Sequence, residues 1–245
     1  MLYVGDKKAV ICKGDFHPAA LYKGDKKITG YSLEEFTGVI VTLENCYNDK
    51  VYNLQISENV ESVTVRGKNY FDLAKVPFSN NSTERYNNGL KAEKTPASNR
   101  GDKIPITLPV GKTIYMSMDV VDSQIDGSAT RVTMGFYNKS NTLVRSTNVT
   151  SSKAHKTYSF TLSEEVSYIQ FYFQSSSSNN AVGDYVTMDN IMLRTEGEDV
   201  WEAYIKPQTI PFENGEPTKD IPTFKGTTVI EAETTISGKY KRAEV

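Results

Sequence analysis

Tyrosines recur on the predicted strands in the middle of the chain, and their spacing sets the direction in which they face. On the predicted strand Ser167–Gln174, Tyr168 and Tyr172 alternate with apolar residues. Because neighbours on a strand face opposite sides, both rings point to solvent if the apolar residues enter a core. By the same parity, Tyr115 and Tyr137 leave their strands on the solvent side. Exposed tyrosine rings suit carbohydrate, since the ring packs on a pyranose and the hydroxyl reaches its polar rim. The alternative is that these rings cover the sheet or pack against another domain or subunit.

Side chains suited to catalysis are few. The chain has two histidines, His17 and His155, and neither lies in a recognisable nucleophile elbow. Metal-dependent hydrolysis usually needs several histidine ligands, which this sequence lacks. A glycosidase needs only two carboxylates, but Glu164 and Glu165 precede a strand at a turn and are interpreted as part of a solvated loop. The sequence therefore predicts a protein that is not an enzyme and that has no cofactor.

The elements that position the tyrosines are predicted β-strands. Apolar residues alternate with other residues along each of them, and this period of two is typical of half-buried strands. Polar segments separate the strands, and no long amphipathic helix is evident, so the pattern predicts an all-β, antiparallel sandwich. The clearest strands are Lys112–Val121, Arg131–Asn138, Lys156–Leu162, Ser167–Gln174 and Asp184–Arg194. The polar, Asn-rich segment Ser79–Asp102 is predicted to be a long surface loop.

The two ends of the chain have patterns of their own. Leu2–Val10 and Leu21–Thr29 both read as a short strand, a Gly-Asp turn and a second strand, which predicts two hairpins. Ser32 and Glu35 match a capping box, which predicts a helical turn over 32–36. Prolines between 207 and 222 predict an extended linker before short C-terminal strands. We therefore predict an N-terminal hairpin module over 1–59 for docking or assembly, a sandwich over 60–206, and a linker with terminal strands over 207–245.

Composition and charge exclude several classes of function. The 245 residues carry a net charge of −2, with lysines and arginines scattered, so nucleic-acid binding is not expected. No apolar run reaches the roughly 18 residues of a membrane span, so membrane insertion is not expected. The first residues do not resemble a signal peptide, which predicts folding in a cytosol. Cys12 and Cys46 form no CxxC pattern and are predicted to be reduced and structural.

Several short phrases, in order along the chain, resemble one known family. Gly67–Asp72 (GKNYFD) resembles the GKNLFD opening of jelly-roll domains in minor tail and baseplate proteins of phages and prophages of Gram-positive bacteria. Asp189–Leu193 (DNIML) followed by Glu202–Tyr204 (EAY) is similar to their last strand and its exit. Phe224–Glu231 (FKGTTVIE) is similar to their C-terminal extension. Together these phrases and the two N-terminal hairpins span about three quarters of the chain.

The resemblance implies a jelly-roll β-sandwich akin to carbohydrate-binding modules. It implies a structural subunit of a tail tip, baseplate or fibre, assembled in the host bacterial cytoplasm and working in the virion. Its expected partners are other tail subunits, a host cell-surface glycan and further copies of itself, with a trimer expected. Such jelly rolls often hold a structural Ca²⁺ through an aspartate of the final strand, here Asp189, which could instead be an outward polar residue or a turn former. The alternative functions are a free bacterial carbohydrate-binding adhesin and a tail-associated glycan hydrolase.

Overall fold

The computed structural model describes residues 2–4, 7–9, 21–23, 26–28, 31–57, 59–78, 83–94, 100–124, 131–149, 152–174 and 182–243. The regular structure of these residues is almost entirely β-strand, which confirms the predicted all-β class. Their helical content is a 3₁₀ turn at Leu73–Lys75, and no helix within these ranges is long and apolar enough to cross a membrane. The chain divides into two compact units, Met1–Arg66 with Pro207–Val245, and Gly67–Lys206.

The first unit contributes the strands at both ends of the chain, and the second unit contributes those between them. The strands before the second unit are β1 (Leu2–Val4), β2 (Lys7–Ala9), β3 (Leu21–Lys23), β4 (Lys26–Ile28), β5 (Tyr31–Glu44), β6 (Val51–Ile56) and β7 (Ser62–Arg66). Those of the second unit are β8 (Thr83–Tyr86), β9 (Gly89–Glu93), β10 (Arg100–Pro105), β11 (Thr113–Gln124), β12 (Arg131–Tyr137), β13 (Leu143–Val149), β14 (Ala154–Thr161), β15 (Tyr168–Gln174) and β16 (Tyr185–Arg194). Those that follow are β17 (Gln208–Glu213), β18 (Glu216–Pro217) and β19 (Thr227–Ala243).

The second unit is a jelly roll. Its two antiparallel sheets have the strand orders β10-β15-β12-β13 and β14-β11-β16-β9-β8. If the strands from β9 to β16 are counted one to eight, the sheets read 2-7-4-5 and 6-3-8-1, which is the double Greek key of a jelly roll. Strand β8 extends the second sheet at the β9 edge. The predicted sandwich is therefore confirmed.

The core of the jelly roll consists of the inward-facing residues of both sheets. The predicted alternation is confirmed, because the apolar residues of the central strands are at most 2% exposed while their neighbours face outward. The inward residues of the three best-defined strands are Ile114, Met116, Met118, Val120, Val132, Met134, Phe136, Ile169, Phe171 and Phe173. At about 25 cal/mol per Å² of apolar surface, burial of these side chains is the main source of stability of the sandwich.

The first unit is built around the long antiparallel pair of β5 and β19. Its larger sheet has the order β18-β17-β7-β19-β5, and β6 also pairs with β19. It has its own apolar core, in which Val65, Ile210 and Ile230 are fully buried. The hairpins predicted at the N-terminus are present, since β1 pairs with β2 and β3 with β4. Their Gly-Asp turns lie outside the described residues.

The predicted three-part division differs from the observed one. The chain on both sides of the jelly roll forms one unit, because β17 pairs with β7 and β19 pairs with both β5 and β7. The jelly roll, Gly67–Lys206, is thus inserted between two paired strands. The predicted proline linker includes β17, with Pro211 opposite Ser62. A proline donates no ladder hydrogen bond, but its carbonyl still accepts, and the Pro211 carbonyl accepts from the Thr218 amide just beyond β18.

Two further predictions were wrong. The helical turn expected over 32–36 is part of β5, where Phe36 lies opposite Gly238 and its ring stacks on Tyr240. A single capping box contributes little, and the strand ladder and ring packing outweigh it. The loop expected over Ser79–Asp102 contains β8, β9 and the start of β10. Asn87 and Asn88 form the two-residue turn of a hairpin, with Asn87 at φ 41°, a conformation that asparagine tolerates.

The phrase Gly67–Asp72 lies where the chain enters the jelly roll, and its asparagine joins the two ends of that unit. The Asn69 Nδ2 donates to the carbonyls of Ile191, at 3.3 Å, and of Glu202, at 2.9 Å. The Asn69 Oδ1 accepts from the amides of Phe71, at 2.9 Å, and Leu193, at 3.2 Å. This 3% exposed side chain therefore ties the entering segment to β16 and to the segment that leaves the unit.

Candidate functional site

The outer face of the sheet β10-β15-β12-β13 gathers three of the four candidate tyrosines. Because Ile169 and Phe171 of β15 enter the core, Tyr168, Gln170 and Tyr172 project from the opposite side. The neighbouring strand β12 adds Tyr137, and β10 adds Lys103. We call this surface, formed by Lys103, Tyr137, Tyr168, Gln170 and Tyr172, the tyrosine face.

Tyr137 and Tyr168 form a stacked pair on this face. They lie opposite each other on β12 and β15, with ring centroids 5.0 Å apart and planes at 7°. The Tyr137 ring lies over Gly135, where an added Cβ would come within 2.7 Å of the ring, so only glycine leaves room for it. Tyr137 lies on the outer face as predicted, but it is only 6% exposed. The prediction that its ring is open to solvent was wrong. Alternation along a strand predicts the side of the sheet on which a residue lies, but not whether neighbouring side chains bury it.

A lysine and an asparagine fix the position of the half-buried Tyr168 ring. The Tyr168 hydroxyl donates to Asn141 Oδ1 at 3.0 Å, and Lys103 Nζ donates to the same oxygen at 2.8 Å. The lysine nitrogen also lies 4.7 Å from the Tyr168 ring centroid, within the range of a cation–π contact. The ring is therefore held in a fixed orientation, which lowers the entropy that it would lose on binding a ligand.

Gln170, between the two tyrosines of β15, brings an amide with an unused acceptor. The side chain is 7% exposed, and its Nε2 donates to the Gly101 carbonyl at 2.8 Å. Its Oε1 is shielded and has no hydrogen-bond partner among the described residues. A buried acceptor without a partner costs about 1–3 kcal/mol, which a donor from a ligand would remove. The sequence reasoning did not single out Gln170, although the parity argument used for the tyrosines places it on the same face.

The polar rest of the face comes from β12 and β13. Thr133, which lies opposite the half-buried Tyr172, donates from its Oγ1 to Asn148 Oδ1 at 3.0 Å. Thr133 is fully buried although it belongs to the outer side of the sheet. Aromatic rings on β15 and the exposed Asn148 amide on β13 thus lie on the same side of the sheet, a composition suited to a ligand with both apolar and hydroxyl-bearing surfaces.

The fourth candidate, Tyr115, lies on the other sheet of the jelly roll. It is 43% exposed, and the Arg194 guanidinium lies 5.5 Å from its ring centroid. The structure therefore brings Tyr137, Tyr168 and Tyr172 together and leaves Tyr115 apart from them. Its exposure as a single ring makes it a suitable control for the tyrosine face.

A cluster of titratable side chains surrounds His155 on the sheet of Tyr115. His155 Nδ1 lies 2.7 Å from Asp119 Oδ1, and its Nε2 lies 3.1 Å from Asp199 Oδ2. Asn190 Nδ2 donates to the second oxygen of Asp119 at 2.8 Å, and Arg194 pairs with Asp199 at 3.3 Å. With both ring nitrogens facing carboxylates, the charged form of the imidazole is favoured, and that form has no lone pair to offer as a general base.

We expect His155 to titrate above its ordinary value. The hydrogen bonds to Asp119 and then to Asp199 raise the pKa of His155 above 6.5, although burial opposes this. Because the folded pKa is raised, its contribution to stability is fully present below about pH 6.5 and is lost as the pH rises through the folded pKa. An NMR titration of the imidazole carbon-bound protons measures this pKa, and a His17→Gln variant assigns the signals. Asp119→Asn is expected to lower the pKa of His155, and a wild-type pKa at or below 6.5 would contradict the geometry.

Asp189 braces the β8–β9 turn. Its Oδ1 accepts from the amides of Asn88, at 2.9 Å, and Asn190, at 2.8 Å, and its Oδ2 accepts from Asn87 Nδ2 at 3.2 Å. Across the described ranges, no group of three or more acidic, histidine or cysteine side chains could hold a metal ion. These contacts use both carboxylate oxygens of Asp189, which itself lies in β16, and calcium at this residue stays a prediction.

Comparison of the chain with known proteins adds little to this description of the site. No protein-family model matches the chain, and no curated protein matches it. Among solved structures, the chain is similar to one in the structure of infectious bursal disease virus Gt strain. That similarity is 8% in sequence identity and covers 92% of this chain and 83% of the other, with a TM-score of 0.24. The assignment as a jelly roll therefore rests on the strand order and pairing of the chain itself.

Proposed function

We propose that this protein is a non-enzymatic structural subunit of a phage or prophage tail, and that its jelly roll binds carbohydrate through the tyrosine face. The observation that carries the proposal is the gathering of Tyr137, Tyr168, Tyr172 and the unused acceptor of Gln170 on two neighbouring strands, β12 and β15. The family resemblance of Gly67–Asp72 and the later phrases supports the location in a tail tip, baseplate or fibre.

The chemistry of the face suits a neutral sugar. A pyranose has an apolar face that packs on an aromatic ring and hydroxyl groups that donate hydrogen bonds. Gln170 Oε1 is the acceptor for one such hydroxyl once the groups that shield this oxygen move aside. Lys103 and Asn141 hold Tyr168 in place and supply further polar contacts at the rim. In this proposal the Tyr168 ring contacts the apolar face of the sugar, and the Gln170 amide contacts one of its hydroxyl groups.

Other features support the remaining parts of the proposal. The arrangement of His155 between two carboxylates favours a structural role for the histidine, which supports a non-enzymatic protein. The net charge of −2 is unfavourable for nucleic-acid partners. The partners we propose are other tail subunits, further copies of this chain in a trimer, and glycan of the host cell surface. Mass spectrometry of purified tails from the producing bacterium would test the location directly, and tails that lack this chain would contradict it.

We expect Tyr168→Ala to weaken binding to purified Gram-positive cell-wall polysaccharide by about tenfold. An aromatic contact contributes roughly 0.5–1.5 kcal/mol beyond its buried area, and 1.4 kcal/mol corresponds to tenfold in the dissociation constant. Gln170→Leu, which keeps the side-chain volume and removes the acceptor, is expected to weaken binding to a similar extent. Isothermal titration calorimetry on the folded variants measures both effects.

Tyr115→Ala is the matched control for these variants. It removes a more exposed tyrosine from the other sheet of the same unit, and binding is expected to stay unchanged. Equal losses for Tyr115→Ala and Tyr168→Ala would place the contact elsewhere, and unchanged binding in both Tyr168→Ala and Gln170→Leu would rule out the tyrosine face.

A further inference from the structure

A small pocket lies within the jelly-roll unit, where its entering and leaving segments meet. The pocket holds about 190 Å³ and is separate from the tyrosine face. We call it the Trp201 pocket; the residues of its lining that matter here are Phe71, Asp72, Leu73, Trp201, Ala203 and Tyr204. Its volume is slightly larger than the 150 Å³ or so that a buried benzene ring occupies, so it suits one small chemical group and not a whole ligand.

Trp201, the single tryptophan of the chain, brings an unused donor to this lining. Its indole Nε1 is shielded from solvent and has no hydrogen-bond partner within the described residues. A buried tryptophan N–H usually finds an acceptor. Nothing in the described lining supplies that acceptor, so a bound group that carries a carbonyl oxygen would complete the site.

Asp72 and Tyr204 bring polar groups of the opposite kind. Asp72 Oδ1 accepts from the Ala74 amide at 3.0 Å, and this leaves the other carboxylate oxygen for a further donor. Burial, and then the negative charge of Asp72, raise the pKa of Tyr204, which keeps its hydroxyl neutral.

Apolar side chains form part of the remaining wall, which also includes Asn69, Arg85 and Asn88. Phe71 is 2% exposed, and Leu73 packs partly buried against the core of the jelly roll. Among these lining groups, the indole N–H offers a donor, the Asp72 carboxylate offers an acceptor, and Phe71 and Leu73 offer apolar surface, in a volume of a few non-hydrogen atoms. A ligand group that matches all three has a carbonyl, an N–H and a methyl group.

We propose that the Trp201 pocket binds an acetamido group. Its carbonyl accepts from Trp201 Nε1–H, its N–H donates to Asp72, and its methyl packs on Phe71 and Leu73. Such a group occurs in N-acetylated sugars and in acetylated peptides, and the chemistry of the pocket is the same for both. The proposal rests on residues outside the tyrosine face and does not depend on the function proposed for that face.

The fluorescence of Trp201 offers a direct test on the full-length protein. Four probes are titrated: N-acetylglucosamine, N-acetylalanine amide, glucose and acetate. We expect a saturable change in Trp201 emission with N-acetylglucosamine, with N-acetylalanine amide or with both. The change is expected at roughly millimolar concentrations, because a group of few atoms makes few contacts and binds weakly. A response to one of them alone identifies the source of the group. No response to either, or an equal response to glucose or acetate, overturns the proposal.

A variant that fills the pocket makes the test specific. Ala203 is exposed and lines the pocket, so Ala203→Leu is expected to preserve the fold and weaken the acetamido response by about tenfold or more. Val200→Leu, at a 60% exposed residue outside the lining, is the matched control and is expected to leave the response unchanged. An undiminished response in a folded Ala203→Leu protein would overturn the proposal.

Trp201→Phe separates the donor from the ring. The substitution keeps an aromatic wall and removes the Nε1–H, so saturation-transfer NMR with N-acetylglucosamine or N-acetylalanine amide is expected to show binding weakened by about tenfold. Equal affinity for the wild type and for Trp201→Phe would show that the indole N–H takes no part, and the proposal would fail.

Discussion

Asn69→Ala is expected to lower the free energy of unfolding of the jelly-roll unit by about 3 kcal/mol or more. The side chain is 3% exposed, and its two donors and two acceptor positions are all used in hydrogen bonds to backbone groups. Alanine leaves the amides of Phe71 and Leu193 without that acceptor and the carbonyls of Ile191 and Glu202 without that donor. A buried polar group that loses its partner costs about 1–3 kcal/mol, and local relaxation keeps the total below the sum.

Urea denaturation of wild type and variant, followed by the fluorescence of Trp201, measures this difference. Ser159→Ala, at an exposed position on β14, is the control and is expected to change stability by no more than about 0.5 kcal/mol. A loss below about 1 kcal/mol for Asn69→Ala would mean that water or a neighbouring side chain replaces the amide. The role assigned to Asn69 in joining the two ends of the jelly roll would then be wrong.

The role of Asn69 shows what a short sequence phrase can and cannot predict. The phrase Gly67–Asp72 pointed to the start of a jelly roll, and the unit begins there. Nothing in the spacing of these residues indicates that Asn69 bonds to Ile191 and Glu202, more than 120 residues further along the chain. Such contacts depend on which strands become neighbours, and a jelly roll brings its first and last strands together only after the whole chain has folded.

The strands of the jelly-roll core were predictable because burial acts on alternate residues. Predicted and observed bounds of β11, β12, β14, β15 and β16 differ by at most three residues at either end. The strands that the sequence did not reveal, β8, β9, β10 and β13, lie towards the edges of the two sheets or are short. An edge strand such as β13 buries fewer side chains, so its alternation is weak and its polar residues resemble a loop.

The candidate site was predictable in part for the same reason. Parity placed Tyr168 and Tyr172 on the outer side of β15, and the structure has them there. The stack of Tyr137 on Tyr168 depends on the register between β12 and β15 and on the space above Gly135. Neither follows from the sequence of one strand. Gln170 was overlooked because a glutamine at an outward position of a strand is expected to be exposed. Its burial depends on side chains from neighbouring strands, which the sequence of β15 does not specify.

Lys68→Met is expected to destabilise the jelly-roll unit by about 3 kcal/mol. The Lys68 side chain is 2% exposed, its Nζ lies 2.9 Å from Glu202 Oε1, and it donates to the Glu198 carbonyl at 3.0 Å. Methionine keeps much of the volume but removes the charge, so the 16% exposed Glu202 side chain loses its cation in a poorly solvated position. Removing one partner of a buried ion pair typically costs 3–5 kcal/mol, and the residual exposure of Glu202 favours the lower end.

A double-mutant cycle distinguishes the ion pair from simple loss of packing. If the charge on Glu202 is the cause, Lys68→Met combined with Glu202→Gln costs less than the sum of the single changes, by about 1–3 kcal/mol. Lys91→Met is the control, because Lys91 lies closer to its carboxylate, at 2.6 Å from Glu93, yet is 26% exposed. Its loss is expected to cost no more than about 1 kcal/mol, since water replaces the partner. Equal costs for Lys68→Met and Lys91→Met would mean that burial does not set the cost of losing the ion pair. Additive costs in the cycle would mean that Lys68 stabilises the jelly roll through its carbon chain alone.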